Sequence, residues 1–217
     1  MPVLAKKNHW TPPDNELTQR RREEILSAAA RFFAEQGYQN ADLQLLADQV
    51  GIGKGMLYRY FPSKEELFLA AVDRGMRHLH AFVQSRCDGV VEPLERIRTA
   101  IGSFFAFFDA NPEVVELLIQ ERAEFRNRKE PTYMKHRQAN VGPWEELMRK
   151  LIQEKRMRPI QVRRIGDKIS NMLYGTLFTT YFAGGSVGFE EQAEDAIEII
   201  FLGILSNSER LKTGRST

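Results

Sequence analysis

Cysteine is nearly absent. Cys87 is the only one in 217 residues, so no intrachain disulfide can form, and alone it reads as a plain thiol and not as a metal ligand or nucleophile. No run of about eighteen apolar residues is present to cross a bilayer. The start MPVLAKKNHWTPP lacks the apolar stretch of a signal peptide, so the chain is expected to stay in the cytoplasm and to have no membrane partner. Histidine is scarce too. His9, His78, His80 and His136 stand neither in H-E-x-x-H nor at E-x-x-H spacing, so helical zinc and di-iron sites lack their usual ligands. His78 and His80 are two apart and point to different sides of a helix. Gly51-Ile52-Gly53-Lys54-Gly55 has neither the spacing of a phosphate loop nor a strand before it. No metal, no cofactor and no catalytic set is therefore expected. Past Val72 the alternation of a strand is missing, and the expected fold is all-α. What is present suffices for a core, with 42% of residues hydrophobic. The net charge is +2, and its whole excess lies in residues 1–64, with 9 Lys and Arg against 7 Asp and Glu.

The informative stretch is Leu43 to Leu67, LQLLADQVGIGKGMLYRYFPSKEEL. Leu43, Leu46, Ala47 and Val50 fall at i, i+3, i+4 and i+7, one stripe of a short helix. Gly51 then stands where a tight helix-to-helix turn needs a left-handed backbone. Ile52 and Leu57 anchor a second helix, which leaves Lys54, Met56, Tyr58, Arg59 and Tyr60 on its sides and outer surface. Those groups suit a nucleic acid: hydroxyls and cations for phosphate oxygens, and a thioether for a thymine methyl. Pro62 ends that helix, and Ser63 with Glu66 forms a capping box for a third. Lys64 opposes the dipole of the third helix, which a nearby phosphate explains and mere solvation also allows. Arg20-Arg21-Arg22 is a local basic cluster that either straddles phosphates or pairs with Glu23 and Glu24.

These parts lie in a longer ordered set: Ala28-Ala29-Ala30, then Phe33-Ala34-Glu35-Gln36-Gly37-Tyr38, Ile52-Gly53-Lys54-Gly55, and Leu57-Tyr58-Arg59-Tyr60-Phe61-Pro62-Ser63-Lys64-Glu65-Glu66-Leu67. On that set, Thr18 to Val72, about a quarter of the chain, resembles the amino-terminal domain of the TetR family of transcriptional regulators. The resemblance implies a sequence-specific regulator of double-stranded DNA, a repressor that leaves a pseudo-palindromic operator when a small-molecule effector binds its carboxy-terminal domain. It implies backbone contacts from Lys54, Tyr58, Tyr60 and Lys64. The DNA-facing set is Gln44, Gly53, Lys54, Met56, Tyr58, Arg59, Tyr60 and Lys64. Gly53, Met56 and Arg59 depart from the Ser, Thr and His common in the family, so base choice is this chain's own. Ala41-Asp42 replaces the usual Thr-containing helix start, and Asp42 can still serve as N-cap.

The expected organisation is a flexible tail at 1–17, a three-helix DNA-binding domain at 18–64 with its motif at about 42–61, a helical effector-binding and dimerisation domain at 65–210, and a tail at 211–217. Pro93 opens a helix with the stripe Leu94, Ile97, Ile101, Phe104, Phe105 and Phe108. Asn111-Pro112 starts another, Pro131 opens a third that Gly142-Pro143 interrupts, and a fourth spans Val162 to Phe182. Gly184 to Gly188 leads to a last helix at about Glu190 to Asn207. Phe104, Phe105, Phe108, Trp144, Met148, Met172, Tyr174 and Phe178 could line an effector cavity, with Glu121, Arg122, Tyr133 and His136 as polar anchors, though such aromatics also serve as plain core. The last two helices carry more apolar surface than one intramolecular contact needs. Ile169, Leu173, Leu177, Tyr181, Ile197, Ile200, Phe201 and Ile204 are the expected homodimer interface, and a dimer suits two half-sites about 34 Å apart. The rival reading is a small-molecule-binding helical protein or enzyme without DNA-binding activity.

Overall fold

Each stripe marked in the sequence is a helix. The computed structural model describes residues 16–184 and 188–213. They form α1 (Glu16–Gln36), α2 (Leu43–Gln49), α3 (Lys54–Tyr60), α4 (Lys64–Cys87), α5 (Pro93–Ala110), α6 (Pro112–Glu124), α7 (Thr132–Asn140), α8 (Gly142–Gln153), α9 (Val162–Phe182), α10 (Phe189–Ile204) and α11 (Asn207–Thr213). The expected tails lie outside the described residues at 1–15 and 214–217, whereas Glu16 and Leu17 open α1 and Leu211 belongs to α11. Gly185, Ser186 and Val187 of the glycine-rich connection also lie outside them.

Local chemistry sets the helix starts. The Asp42 carboxylate accepts from the Gln44 N–H at 2.8 Å, the Ser63 hydroxyl from the Glu66 N–H at 3.0 Å, and the Glu92 carboxylate from the Glu95 N–H at 2.6 Å ahead of Pro93. Gly142-Pro143 does interrupt the segment after Pro131, because proline has no N–H to continue α7.

The chain divides into two units, one reaching to Gly75 and including Glu116–Lys129, the other made of Met76–Val115 and the residues from Glu130 onward. This division differs from the boundary after residue 64 read from sequence. In the first unit, α1 buries Ile25, Leu26, Ala29 and Phe33, and α4 buries Leu67, Phe68 and Val72. Phe68 explains why the early turns of α4 belong here. Its ring lies 5.1 Å from Phe33, 5.1 Å from Tyr38 and 5.6 Å from Phe125, in edge or tilted geometries that aromatic quadrupoles favour. Gln120 adds a buried bond to the Phe33 carbonyl at 3.0 Å, so the end of α6 belongs to the same core.

In the second unit α10 packs along α5, with Ile197, Ile200 and Phe201 buried and the Arg98 guanidinium of α5 lying 5.0 Å above the Phe201 ring. α10 stops at Ile204, earlier than the sequence suggests. Backbone bonds from Arg158 N–H to Ile204 O (2.8 Å) and Ser206 N–H to Arg156 O (3.1 Å) turn the chain, and the Ser206 hydroxyl caps α11 at the Glu209 N–H. Arg156 fastens this corner, reaching Glu92 at 2.7 Å and the buried Glu209 at 3.1 Å. Phe68→Ala is expected to cost about 3–5 kcal/mol, read from urea unfolding of the full chain, because the rings around it cannot close the gap.

Candidate nucleic-acid interface and ligand cavity

The turn between α2 and α3 has the conformation that its glycine allows. Gly51 has φ +69°, the Gly51 N–H reaches Asp48 O at 3.1 Å, and the Ile52 N–H reaches Ala47 O at 2.9 Å. Leu46, Ala47 and Leu57 are wholly buried, and Leu57 is the only buried residue of α3. Met56, Tyr58 and Arg59 are therefore exposed, with Lys54 and Tyr60 half-buried beside them and Gly53 at the exposed N-cap. Lys54 lies 3.6 Å from Asp42. The Gln44 N–H, and after it the Lys54 and Lys64 charges, hold the Asp42 carboxyl below the usual carboxylate range. Gln44 is exposed and donates to Asp48 at 2.8 Å, and its neighbour Leu45 is an exposed apolar group that the stripe in α2 leaves outside.

Two arginines of the basic run act on this motif from α1. Arg21 donates to the Val50 carbonyl at 2.6 Å while also pairing with Glu24. Arg22 donates to the Tyr60 carbonyl at 2.9 Å, with its guanidinium 4.2 Å above the Phe61 ring. Each carbonyl ends a short helix, where a cation meets both an unpaired acceptor and the negative pole of the dipole. Neither of the two alternatives read from sequence included this role, since nothing local in the run points at residues 29 and 38 positions away. Lys64 likewise has a local partner. Its ammonium lies 3.1 Å from the Gln39 carbonyl and 5.0 Å above the Tyr38 ring, and burial lowers its pKa against the opposing charges of Asp42 and Glu124.

The second unit contains a cavity of about 190 Å³. Phe104, Trp144, Met148, Tyr174 and His136 of the expected set line it. The others of that set are placed elsewhere. Phe105 and Phe108 are wholly buried on the core side of α5, while Tyr133 stands behind Tyr174 at 5.0 Å and Phe178 beside it at 6.4 Å. Met172 is half-buried and not in the wall. Glu121 lies in the first unit, buried and ion-paired with Arg128, and Arg122 is exposed there, bonded to the Arg126 carbonyl. α4 supplies wall residues that the sequence reading missed: Met76, Leu79, His80, Val83 and Gln84. Their signal was the i, i+3, i+7 spacing of Met76, Leu79 and Val83. Burial pushes the Tyr174 hydroxyl well above its ordinary range.

The expected interface residues are also redistributed. Ile197, Ile200, Phe201 and Ile204 are buried, on the helix that packs along α5. Leu177 is wholly buried, Ile169 and Leu173 line the cavity, and Tyr181 is half-buried. The apolar groups left outside on α9 and α10 are Phe182, Ile199 and Leu202, at 69%, 63% and 54% exposure.

Comparison with known proteins agrees with this architecture. Residues 25–71 match the family model of bacterial regulatory proteins, tetR family. FasR of Mycolicibacterium smegmatis, an HTH-type transcriptional activator, is 32% identical over 100 residues, 46% of this chain and 46% of that one, so the chain spans about half the length of this curated relative. Two solved structures share the fold. FadR of Bacillus subtilis, in complex with stearoyl-CoA, gives a TM-score of 0.69 at 17% identity, covering 82% of this chain and 97% of the other. AibR, in complex with isovaleryl coenzyme A and operator DNA, gives 0.63 at 22% identity, covering 83% and 98%. No described helix is long and apolar enough to cross a membrane. The arginine contacts make a separable prediction: Arg22→Ala is expected to lower the unfolding free energy by about 1.5–3 kcal/mol, as for a lost bond to a charged group. Arg20→Ala, on the exposed neighbour, should stay within about 0.5 kcal/mol in the same urea titration.

Proposed function

The chain belongs to the TetR family of bacterial regulatory proteins, and from that membership we propose that it is an operator-binding transcriptional repressor, acting as a homodimer in the cytoplasm and released by a small molecule. It is a regulator and not a catalyst. The observation that carries this reading is the division of α3, where Leu57 alone faces the core and Met56, Tyr58 and Arg59 stand exposed. Lys54 and Tyr58 hold phosphates, Met56 and Arg59 read base edges, and Gly53 permits close approach of the backbone.

The effector site is the cavity of the second unit. The coenzyme A thioesters bound by FadR and AibR support an acylated ligand class, and AibR's complex with operator DNA supports operator binding by a protein of this fold. Coupling runs through α4. This one helix carries Phe68 in the first unit and Met76, Leu79 and Val83 in the cavity wall, so a ligand that shifts its latter half alters the footing of the motif. Dimerisation uses Phe182, Ile199 and Leu202, the large apolar groups that α9 and α10 leave outside.

Three measurements test these roles. Fluorescence anisotropy on an operator selected from random duplexes should fall steeply with salt, and Lys54→Ala should reduce the log–log slope by about 1 without changing the preferred sequence. Met56→Ala or Arg59→Ala should change which sequence wins; failure to enrich any sequence at low salt defeats the reading. Ile199→Glu with Leu202→Glu should give monomers in sedimentation velocity and weaken operator binding, since each half-site then binds alone.

A further inference from the structure

Beside the apolar cavity the second unit has a cleft of opposite character. Gln161, Arg163, Arg164, Asp167, Lys168 and Asn171 line it together with Arg137, which also lines the cavity and is thus a wall common to both. Arg137 is held in place by Asp167 at 2.6 Å and Asn171 at 3.4 Å. That pairing uses the cleft's single carboxylate, and among the described residues Arg163, Arg164 and Lys168 form no ion pair. Arg163 and Arg164 also sit in the first turn of α9, which has no acidic residue, so their charges oppose the helix dipole unless an anion joins them. The cavity itself is mostly aliphatic and aromatic, and at about 190 Å³ it is little larger than an apolar cavity of about 150 Å³ that takes up benzene.

We propose that cavity and cleft form one bipartite site for an amphiphile, with a compact apolar group in the cavity and a phosphate-bearing head in the cleft against Arg163, Arg164 and Lys168. The inference rests on the reading of the cavity as the effector site and adds the ligand's second half and the size limit of its first. Four cations around one carboxylate suit a multiply charged head, since each phosphate accepts charge-assisted bonds that a single carboxylate cannot make in that number. At about 190 Å³ the cavity has room for a short branched chain or a single ring and not for a long chain.

Tryptophan fluorescence tests this directly, because Trp144 lines the cavity and Trp10→Phe leaves it as the sole reporter. The probes are phenylacetate, hexanoate, their coenzyme A thioesters, stearoyl-coenzyme A and free coenzyme A. Each short thioester is expected to bind about tenfold or more tightly than its free acid, with the advantage shrinking as salt rises. Arg164→Glu with Lys168→Glu should bring that ratio near one, and stearoyl-coenzyme A should bind no better than free coenzyme A. Short acids that bind as well as their thioesters, or a ratio that survives the double substitution, overturn the bipartite site and leave the effector cavity standing. Tight binding of the stearoyl thioester overturns the size limit. If no probe alters Trp144 emission, the cavity reading falls and the bipartite site with it.

Discussion

A helix of seven residues is far too short to persist alone, so α3 exists only because of what holds it. Leu57 gives it one buried contact, Gly53 starts it, and Arg22 donates to its last carbonyl. The rest of the first unit follows from that constraint. Presenting so many side chains outward means that α3 contributes almost nothing to the core, and α1 and α4 must supply the deficit through Phe33, Phe68 and their neighbours. α6 joins them with Gln120, and Phe125 just past its end does the same, which is why a segment distant in sequence belongs to the same unit.

Charge is used in two ways. Arg21 and Arg22 point inward at helix ends and act as capping groups, whereas Arg59 stays on the surface. In the second unit Arg156 joins the start of α5 to α11 in the inward manner, while Arg163, Arg164 and Lys168 remain in the open. A count of basic residues does not separate these roles, because they differ only in what each guanidinium or ammonium can reach.

Much of this was legible in the sequence. The capping residues Asp42 and Ser63, the helix-opening Pro93, the turn at Gly51 and the span of α9 follow from local rules, and local rules need only neighbouring residues. Periodicity also showed that α10 has an apolar face. It could not show what covers that face, and Ile197, Ile200 and Phe201 are buried where α10 packs on α5, with Ile199 and Leu202 left outside. Glu121 illustrates the same limit: a carboxylate among apolar residues suggests a ligand anchor, but Arg128, seven residues on, takes it. The cavity wall was half legible for a related reason, since core and lining aromatics share one helical spacing and differ only in whether space remains beside them.

Asp42 has a consequence of its own. The carboxylate that starts α2 also lies 3.6 Å from Lys54, so this lysine has an anion beside it before any phosphate arrives. When a phosphate takes it, one anion replaces another and the helix cap stays in place through the Gln44 N–H. Engagement at this position is an exchange of partners, in which the freed carboxylate, left close to the incoming backbone, sets a counterweight against binding too tightly to let go.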